Sequence, residues 1–268
     1  MGMYIAAGVI LIFICIYLVL IAPRLKKRKF DMPKVGYAHR GLWNEDRPEN
    51  SLSAFSAATE RGFGIETDVR LTKDGVAVLF HDDTLTRMCG DSRRVSDCTY
   101  EELTKLSLAG TDEKIPTLDE LIEIAGNKVP LLIELKGEDL GTELCDKIAQ
   151  RLDALGSMVV VESFNPILLY KMRKLRPNIP RGQLVTALVS QNYPGNIFRN
   201  AALSCMLFNF LSRPDFIAYD KQFPRAVSVN LCIRLFGAGA FIWTVRGKSE
   251  LDALQKKRIC PIFEEPDK

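Results

Sequence analysis

The hydrophobic pattern opens with one uninterrupted apolar run. Met3 to Ala22 carries no charged residue and ends at Pro23. At about 1.5 Å per helical residue such a run is roughly 30 Å long, the thickness of a bilayer core, and predicts a membrane-crossing helix. The pattern then becomes that of a folded domain. Val35 to Ala38 reads as a short strand, and Leu52, Phe55, Ala58 and Thr59 recur at helical spacing behind Pro48-Glu49-Asn50-Ser51 and stop at Gly62. From Phe63 to Leu71, Ile65, Thr67 and Val69 interleave with Glu66, Asp68 and Arg70, so this strand places both carboxylates on one face. A hairpin follows, signalled by Asp74-Gly75 between two strand-like runs; a turn centred between these residues sets Asp68 opposite His81.

Further along, the polar stretch containing Cys89-Gly90-Asp91-Ser92 has loop composition, Tyr100 to Leu108 reads as a short helix, and Thr117 with Glu120 forms a capping box for the next one. Val129 to Leu135 is a continuous apolar run carrying one acid, Glu134, two residues before Lys136, as expected of a buried parallel strand. Helices are predicted over Leu140 to Leu155 and Pro166 to Leu175, with strands at Met158 to Phe164 and near Gly182 to Val185. Tyr193-Pro194-Gly195 is a turn signal, Ala201 to Leu211 an apolar helix, and the last strands fall at Asp215 to Tyr219, Phe241 to Val245 and Ile259 to Phe263. Strands alternating with helices in this way predict a βα architecture.

Charge refines the organisation. The net charge of +3 resides mostly in Arg24-Leu25-Lys26-Lys27-Arg28-Lys29, directly after the apolar run. A basic flank stays cytoplasmic, which orients the chain as a single-pass cell-membrane protein with its bulk on the cytoplasmic side, and such a flank also attracts anionic lipid. A cleaved signal peptide would carry its charges before a shorter apolar core. No basic patch interleaved with aromatics appears elsewhere, so nucleic acid is not an expected partner. Seven cysteines scattered without metal-ligand spacing fit a reducing compartment. The resulting division is 1–23 membrane helix, 24–33 basic linker and 34–268 catalytic domain.

Candidate chemistry concentrates between positions 39 and 81, which hold both histidines of the chain. His39 and Arg40 end the first strand. An imidazole there can move a proton near neutral pH and a guanidinium can fork onto phosphate. A buried Glu134 needs a positive partner, and a metal or the Lys136 ammonium would serve.

His39-Arg40-Gly41, Pro48-Glu49-Asn50, Glu66-x-Asp68-Val69, Thr72-Lys73-Asp74-Gly75 and His81-Asp82 resemble, in order and spacing, the glycerophosphodiester phosphodiesterase family. The resemblance runs from about residue 34 to near the C-terminus and is weaker in the later half. It implies a (β/α)8 TIM barrel with the site at the strands' C-terminal mouth. It further implies one divalent cation, Mg2+ or Ca2+, on Glu66, Asp68 and Glu134; His39 and His81 as general acid and base; and Arg40, Lys136 and Trp243 against the substrate. The implied reaction is hydrolysis of a glycerophosphodiester to glycerol 3-phosphate and an alcohol. Alternatives are cleavage of a lysophospholipid by the same residues, and a membrane-tethered barrel that binds a phosphodiester without turnover. Two positions depart from the family pattern: Arg246 stands where Asn is usual, and Cys260-Pro261-Ile262-Phe263-Glu264-Glu265-Pro266 replaces a Gly-Ile-Ile-Thr-Asp-x-Pro pattern.

Overall fold

The computed structural model describes the chain apart from residues 26–35, 138–139, 156–157, 192, 194, 224–225, 258, 265–266 and 268. Nine strands form one sheet: β1 (Tyr37–Ala38), β2 (Gly64–Leu71), β3 (Ala77–Leu79), β4 (Leu131–Leu135), β5 (Val159–Ser163), β6 (Arg181–Val185), β7 (Phe216–Asp220), β8 (Gly239–Arg246) and β9 (Cys260–Glu264). The strand order is β1-β9-β8-β7-β6-β5-β4-β2-β3, and β1 also pairs with β2. All pairings are parallel except β2 with β3, so the sheet closes into an eight-stranded parallel barrel with β3 hanging outside it.

The helices are α1 (Gly2–Ile21), α2 (Leu52–Glu60), α3 (Thr86–Cys89), α4 (Tyr100–Thr104), α5 (Leu118–Ala125), α6 (Glu143–Asp153), α7 (Pro166–Leu175), α8 (Ile197–Ser204), α9 (Asn209–Ser212), α10 (Val227–Asn230) and α11 (Lys248–Lys256). A π-helical turn, Leu231–Leu235, continues α10. Local chemistry sets their starts. Ser51 caps α2 by accepting from Ala54 N–H, Thr117 and Glu120 form the expected capping box on α5, and Asn165 with Pro166 opens α7.

The period-2 pattern divides each strand between two cores. On β4, Leu131, Ile133 and Leu135 face the helices, while Leu132 joins Tyr37, Val160, Leu184, Phe216 and Phe241 inside the barrel. On β2, Ile65 and Val69 likewise pack outward. The intervening positions, Glu66, Asp68 and Glu134, therefore climb the inner wall to the C-terminal mouth. Gly182 is required lower down: a Cβ there would lie 2.0 Å from Cε2 of Phe216, whose ring fills the barrel interior.

Three expectations change. The hairpin pairs Val69 with Leu79, Arg70 with Val78 and Leu71 with Ala77, and Phe80 N–H bonds the Asp68 carbonyl, one residue out of the register that set Asp68 opposite His81. The loop has three residues, with Thr72 and Val76 joined across it and Gly75 in the left-handed position at φ +77. Asp74 is taken by the Thr72 hydroxyl and the Tyr100 N–H. Next, the polar stretch after His81 is a small lobe. Val78, Phe80, Leu85, Met88, Val95, Cys98, Leu103, Leu108 and Ile115 bury one another there, and its helix, α4, ends at Thr104 rather than Leu108. Finally, the helix expected over Ala201 to Leu211 is two, α8 and α9, broken where Met206 takes φ +56. Of the basic flank, Arg24 and Leu25 are described; Lys26 to Lys29 and the rest of the linker to residue 33 lie outside the described residues, as does Pro194 of the expected turn.

Candidate active site

The site is assembled where strands end. β1 stops at Ala38 and hands His39 and Arg40 to the mouth. Arg40 and Asn50 both sit in the left-handed region, φ +59 and +54, which non-glycine residues use sparingly. Their own bonding holds them there. Asn50 N–H donates to the Arg40 carbonyl at 2.9 Å, Arg40 N–H donates to Glu66 Oε2 at 2.9 Å, and Asn50 Nδ2 donates to Asp68 Oδ2 at 2.9 Å. The Pro48-Glu49-Asn50 segment is thus tied to the inner face of β2.

Glu66, Asp68 and Glu134 are buried, and one carboxylate oxygen from each lies within 4.8 Å of the others. Lys136, just beyond β4, reaches Asp68 Oδ1 at 3.0 Å and Glu134 Oε1 at 2.8 Å. Asp68 Oδ1 has no hydrogen-bond donor aligned with it. Burial, then the neighbouring carboxylates, push Glu66 well above the ordinary carboxyl range. Burial also raises Glu134, to about 7, against the pull of Lys136. Asp68 behaves oppositely: burial would raise it, but Lys136, His81 and Arg40 with the Asn50 hydrogen bond hold it well below. A cradle of three hard oxygens that resists full ionisation fits a divalent cation of the Mg2+ or Ca2+ kind, which needs oxygen ligands and no thiolate.

Two imidazoles flank the cradle, each backed by a carboxylate and an arginine. His39 Nδ1 lies 2.7 Å from Glu264 Oε1, and Glu264 Oε2 accepts from Arg246 Nε at 2.9 Å. His81 Nδ1 lies 2.6 Å from Asp82 Oδ1, and Asp82 Oδ2 accepts from Arg87 Nε at 2.6 Å. Arg87 also bonds Glu49, which accepts from Arg40 Nη1 at 2.8 Å, so the His81 side continues back into the first strand's loop. Burial lowers both histidines; His81 falls to about 4, with Asp68 opposing the shift and Lys136 and Arg40 adding to it. With Nδ1 of each ring turned to a carboxylate, Nε2 is left to exchange a proton with a bound molecule.

The structure therefore joins six of the eight expected residues, Arg40, Glu66, Asp68, His81, Glu134 and Lys136, in one network, and places His39 next to Arg40 with its own partner, Glu264. Trp243 stands apart on β8, half-buried, its indole N–H on the Ala218 carbonyl at 3.2 Å and its ring edge-on to Phe164. Several site residues were not anticipated from the sequence. Glu162 on β5 pairs in register with Glu134, is buried, and is pushed well above the ordinary carboxyl range by burial and then by the Glu134 carboxylate. Its signal was present: Val159-Val160-Val161-Glu162 is an apolar run with one acid, the pattern that singles out Glu134. Asp82 was beside His81 throughout. Glu264 had no local signal, and it proves to bond Arg246, so the two departures from the family pattern meet each other behind His39.

Fold and mouth together define a TIM barrel with a buried cluster of three carboxylates beside two carboxylate-backed imidazoles. Within that class, the chain belongs to the glycerophosphoryl diester phosphodiesterase family, whose sequence profile matches residues 39–263. It is 31% identical over 216 residues to bovine glycerophosphodiester phosphodiesterase 1, covering 76% of this chain and 62% of that protein. It is 37% identical over 148 residues to the human protein of the same name, of which it spans 44%. A glycerophosphodiester phosphodiesterase of Caldanaerobacter subterraneus subsp. tengcongensis is 32% identical over 238 residues, 84% of this chain and 91% of that one. Among solved structures, a phosphodiesterase of Oleispira antarctica in complex with the product sn-glycerol-3-phosphate superposes with TM-score 0.68 at 27% identity, covering 85% of this chain and 91% of the other. The glycerophosphodiester phosphodiesterase of Thermotoga maritima gives TM-score 0.63 at 27% identity over 88% and 96% of the two chains.

Proposed function

We propose that the chain is a metal-dependent glycerophosphodiester phosphodiesterase, releasing glycerol 3-phosphate and an alcohol. The observation that carries this reading is the pair of carboxylate-backed imidazoles, both close enough to feel Asp68, beside a buried three-carboxylate cradle. Glu66, Asp68 and Glu134 would hold one divalent cation, Mg2+ or Ca2+, which when bound supplies a Lewis acid to the phosphate oxygens. Arg40 and Lys136 add positive charge where negative charge grows on the phosphoryl group. Of His39 and His81, one withdraws the nucleophile's proton at Nε2 and the other returns a proton to the leaving alkoxide. Glu264 and Asp82 fix the ring orientation and favour the tautomer with its proton on Nδ1. Trp243, with Phe164 against it, walls the side of the mouth where the organic part of the substrate would lie. In this reading α1 is the membrane anchor of residues 1–23 and the barrel, residues 34–268, stands on the cytoplasmic side.

The test is release of glycerol 3-phosphate from glycerophosphocholine and glycerophosphoethanolamine, with EDTA and with Mg2+ or Ca2+ restored. Release that stops in EDTA and returns with the ion is expected. His39→Ala and His81→Ala should each lower turnover by about 10²- to 10⁴-fold while leaving the folded circular-dichroism signal intact. Undiminished turnover in either variant would sink the mechanism.

A further inference from the structure

The end of α1 is built into the barrel wall, and the direction of its seating has a consequence. Ile21 is fully buried in the main core, and its carbonyl accepts from Asn209 Nδ2 at 2.9 Å and from Cys232 Sγ at 3.3 Å. The Ala22 carbonyl accepts from Arg213 Nη1 at 2.9 Å. These are the orphan carbonyls of a helix end, satisfied by side chains of the barrel domain. Removal of residues 1–21 would take the acceptor carbonyl from Asn209 and Cys232 at once, so α1 is bonded into the folded barrel as a part of it.

Two registers give the direction. Along α10 and the π-helical turn, Tyr17 lies against Ser228, and the Ile21 carbonyl accepts from Cys232 Sγ. On the other side, Ile21 meets Asn209, Ala22 meets Arg213, and Arg24 N–H meets the Pro214 carbonyl at 2.9 Å. Both partner segments run downward from the mouth: α10 follows β7, and Pro214 immediately precedes the start of β7 at the barrel foot. So α1 descends parallel to them. Its exposed part, Gly2 to Ile16, therefore projects beyond the mouth end of the barrel. Arg24, the first residue of the basic flank, is at the foot, with Nε 3.7 Å from Asp215 Oδ1.

The rim beside this exit is apolar and exposed. Val189 and Tyr193 lie in the loop after β6, Ile197 and Phe198 open α8, and Val227 opens α10; Phe198 is 81% exposed and Val227 68%. The lengths agree with a rim at a bilayer. The free part of α1, about fifteen residues, measures only about 22 Å at 1.5 Å per residue, short of a bilayer core of roughly 30 Å. The remaining length is the turn wedged against the barrel, so a helix that crosses the core brings this rim into the interface.

We infer that the barrel docks mouth-first on the bilayer that α1 crosses, with Val189, Tyr193, Ile197, Phe198 and Val227 seated among the lipids. The active site then opens onto the membrane surface, and a phosphodiester headgroup can enter it without its lipid leaving the leaflet. The inference rests on α1 being a retained anchor and not on the chemistry proposed above.

The experiment uses the full chain reconstituted in phosphatidylcholine vesicles whose acyl chains are brominated near the carbonyl end. Phe198→Trp and, as a control at the foot, Leu235→Trp each add a fluorophore at an exposed site, read as emission in excess of the parent's Trp43 and Trp243. Brominated lipid should remove most of the excess emission of Phe198→Trp and leave that of Leu235→Trp. Equal quenching at both sites, or none at either, overturns the orientation. Protection of Phe198→Trp from bromine with a blue-shifted emission would mean that a second copy covers the rim, and also overturns it. A chain recovered without residues 1–21, or not held by the vesicles, overturns the anchor and the docking with it. Turnover of soluble glycerophosphoethanolamine by both variants checks the fold and separates failure of the docking from failure of the chemistry.

Discussion

The two imidazoles of the mouth are held by the same three-part arrangement, yet the two are built from different kinds of contact. His81, Asp82 and Arg87 lie within seven residues of one another, on a lobe with its own small core. His39 is held by Glu264, which is 225 residues away and arrives only because β9 closes the barrel against β1, pairing Tyr37 with Ile262 and Ala38 with Phe263. The arginines differ too. Arg87 is shared between Asp82 and Glu49, and through Glu49 touches the loop of Arg40, whereas the Arg246 guanidinium, 62% exposed, bonds Glu264. One imidazole is thus braced by a network and the other by a single half-buried carboxylate.

Removing the carboxylates should break the symmetry most. Glu264→Gln is expected to lower kcat by roughly 10- to 100-fold, the scale for a hydrogen-bonding partner behind a working imidazole, with KM little changed. Asp82→Asn should cost less, because Arg87 and Glu49 still pack against that ring's loop. Steady-state kinetics on a soluble glycerophosphodiester decide it, and an equal loss in both variants would mean that the network adds nothing. A smaller effect is expected at the arginines, in the reverse order. Arg246→Ala removes an exposed ion pair and should cost about two- to five-fold in kcat. Arg87→Ala frees two carboxylates at once and should cost roughly 10-fold. Arg246→Asn, which restores the residue usual in the family, asks whether the Arg246–Glu264 pair is interchangeable with that arrangement; activity at the level of Arg246→Ala would show that it is not.

The same contrast explains what could be read in the sequence. The faces of β2 and β4 were legible because a strand has a period of two residues, so Glu66, Asp68 and Glu134 had to share the inner wall once Ile65, Val69 and Ile133 were placed outside. The alternation of strands and helices was legible from the spacing of apolar runs, and its closure as a (β/α)8 barrel from the resemblance to the family. The hairpin register was not, since Asp74-Gly75 suits a two-residue turn and only the side-chain bonds of Thr72 and Asp74 select the three-residue loop. Nor was the break between α8 and α9, where Asn209 is buried to bond a carbonyl 188 residues away in α1. Glu264 belongs with these. A contact made by ring closure leaves no local pattern, and position 264 showed only as a deviation from the family.

The smallest effect expected is on stability against pH, and it separates the Glu264 carboxylate from the His81 imidazole by window. Glu264 is depressed from 4.5 to about 2, the His39 hydrogen bond and Arg246 outweighing burial. A depressed carboxyl contributes stability that is complete above its unfolded value and is lost as pH falls through the folded one, so this contribution fades between pH 4.5 and about 2. His81 is lowered from 6.5 to about 4 by burial in the main. Between those values the unfolded chain binds a proton that the folded chain refuses, so stability falls as pH drops from 6.5 to about 4 and changes no further below. Urea midpoints measured against pH should therefore show Glu264→Gln flattening the parent's decline only below 4.5. His81→Gln should flatten it only between 6.5 and 4. An effect of Glu264→Gln well above pH 4.5, or of His81→Gln well below 4, would show that Glu264 and His81 titrate as one coupled system, and that the long-range brace and the local one are not energetically separate.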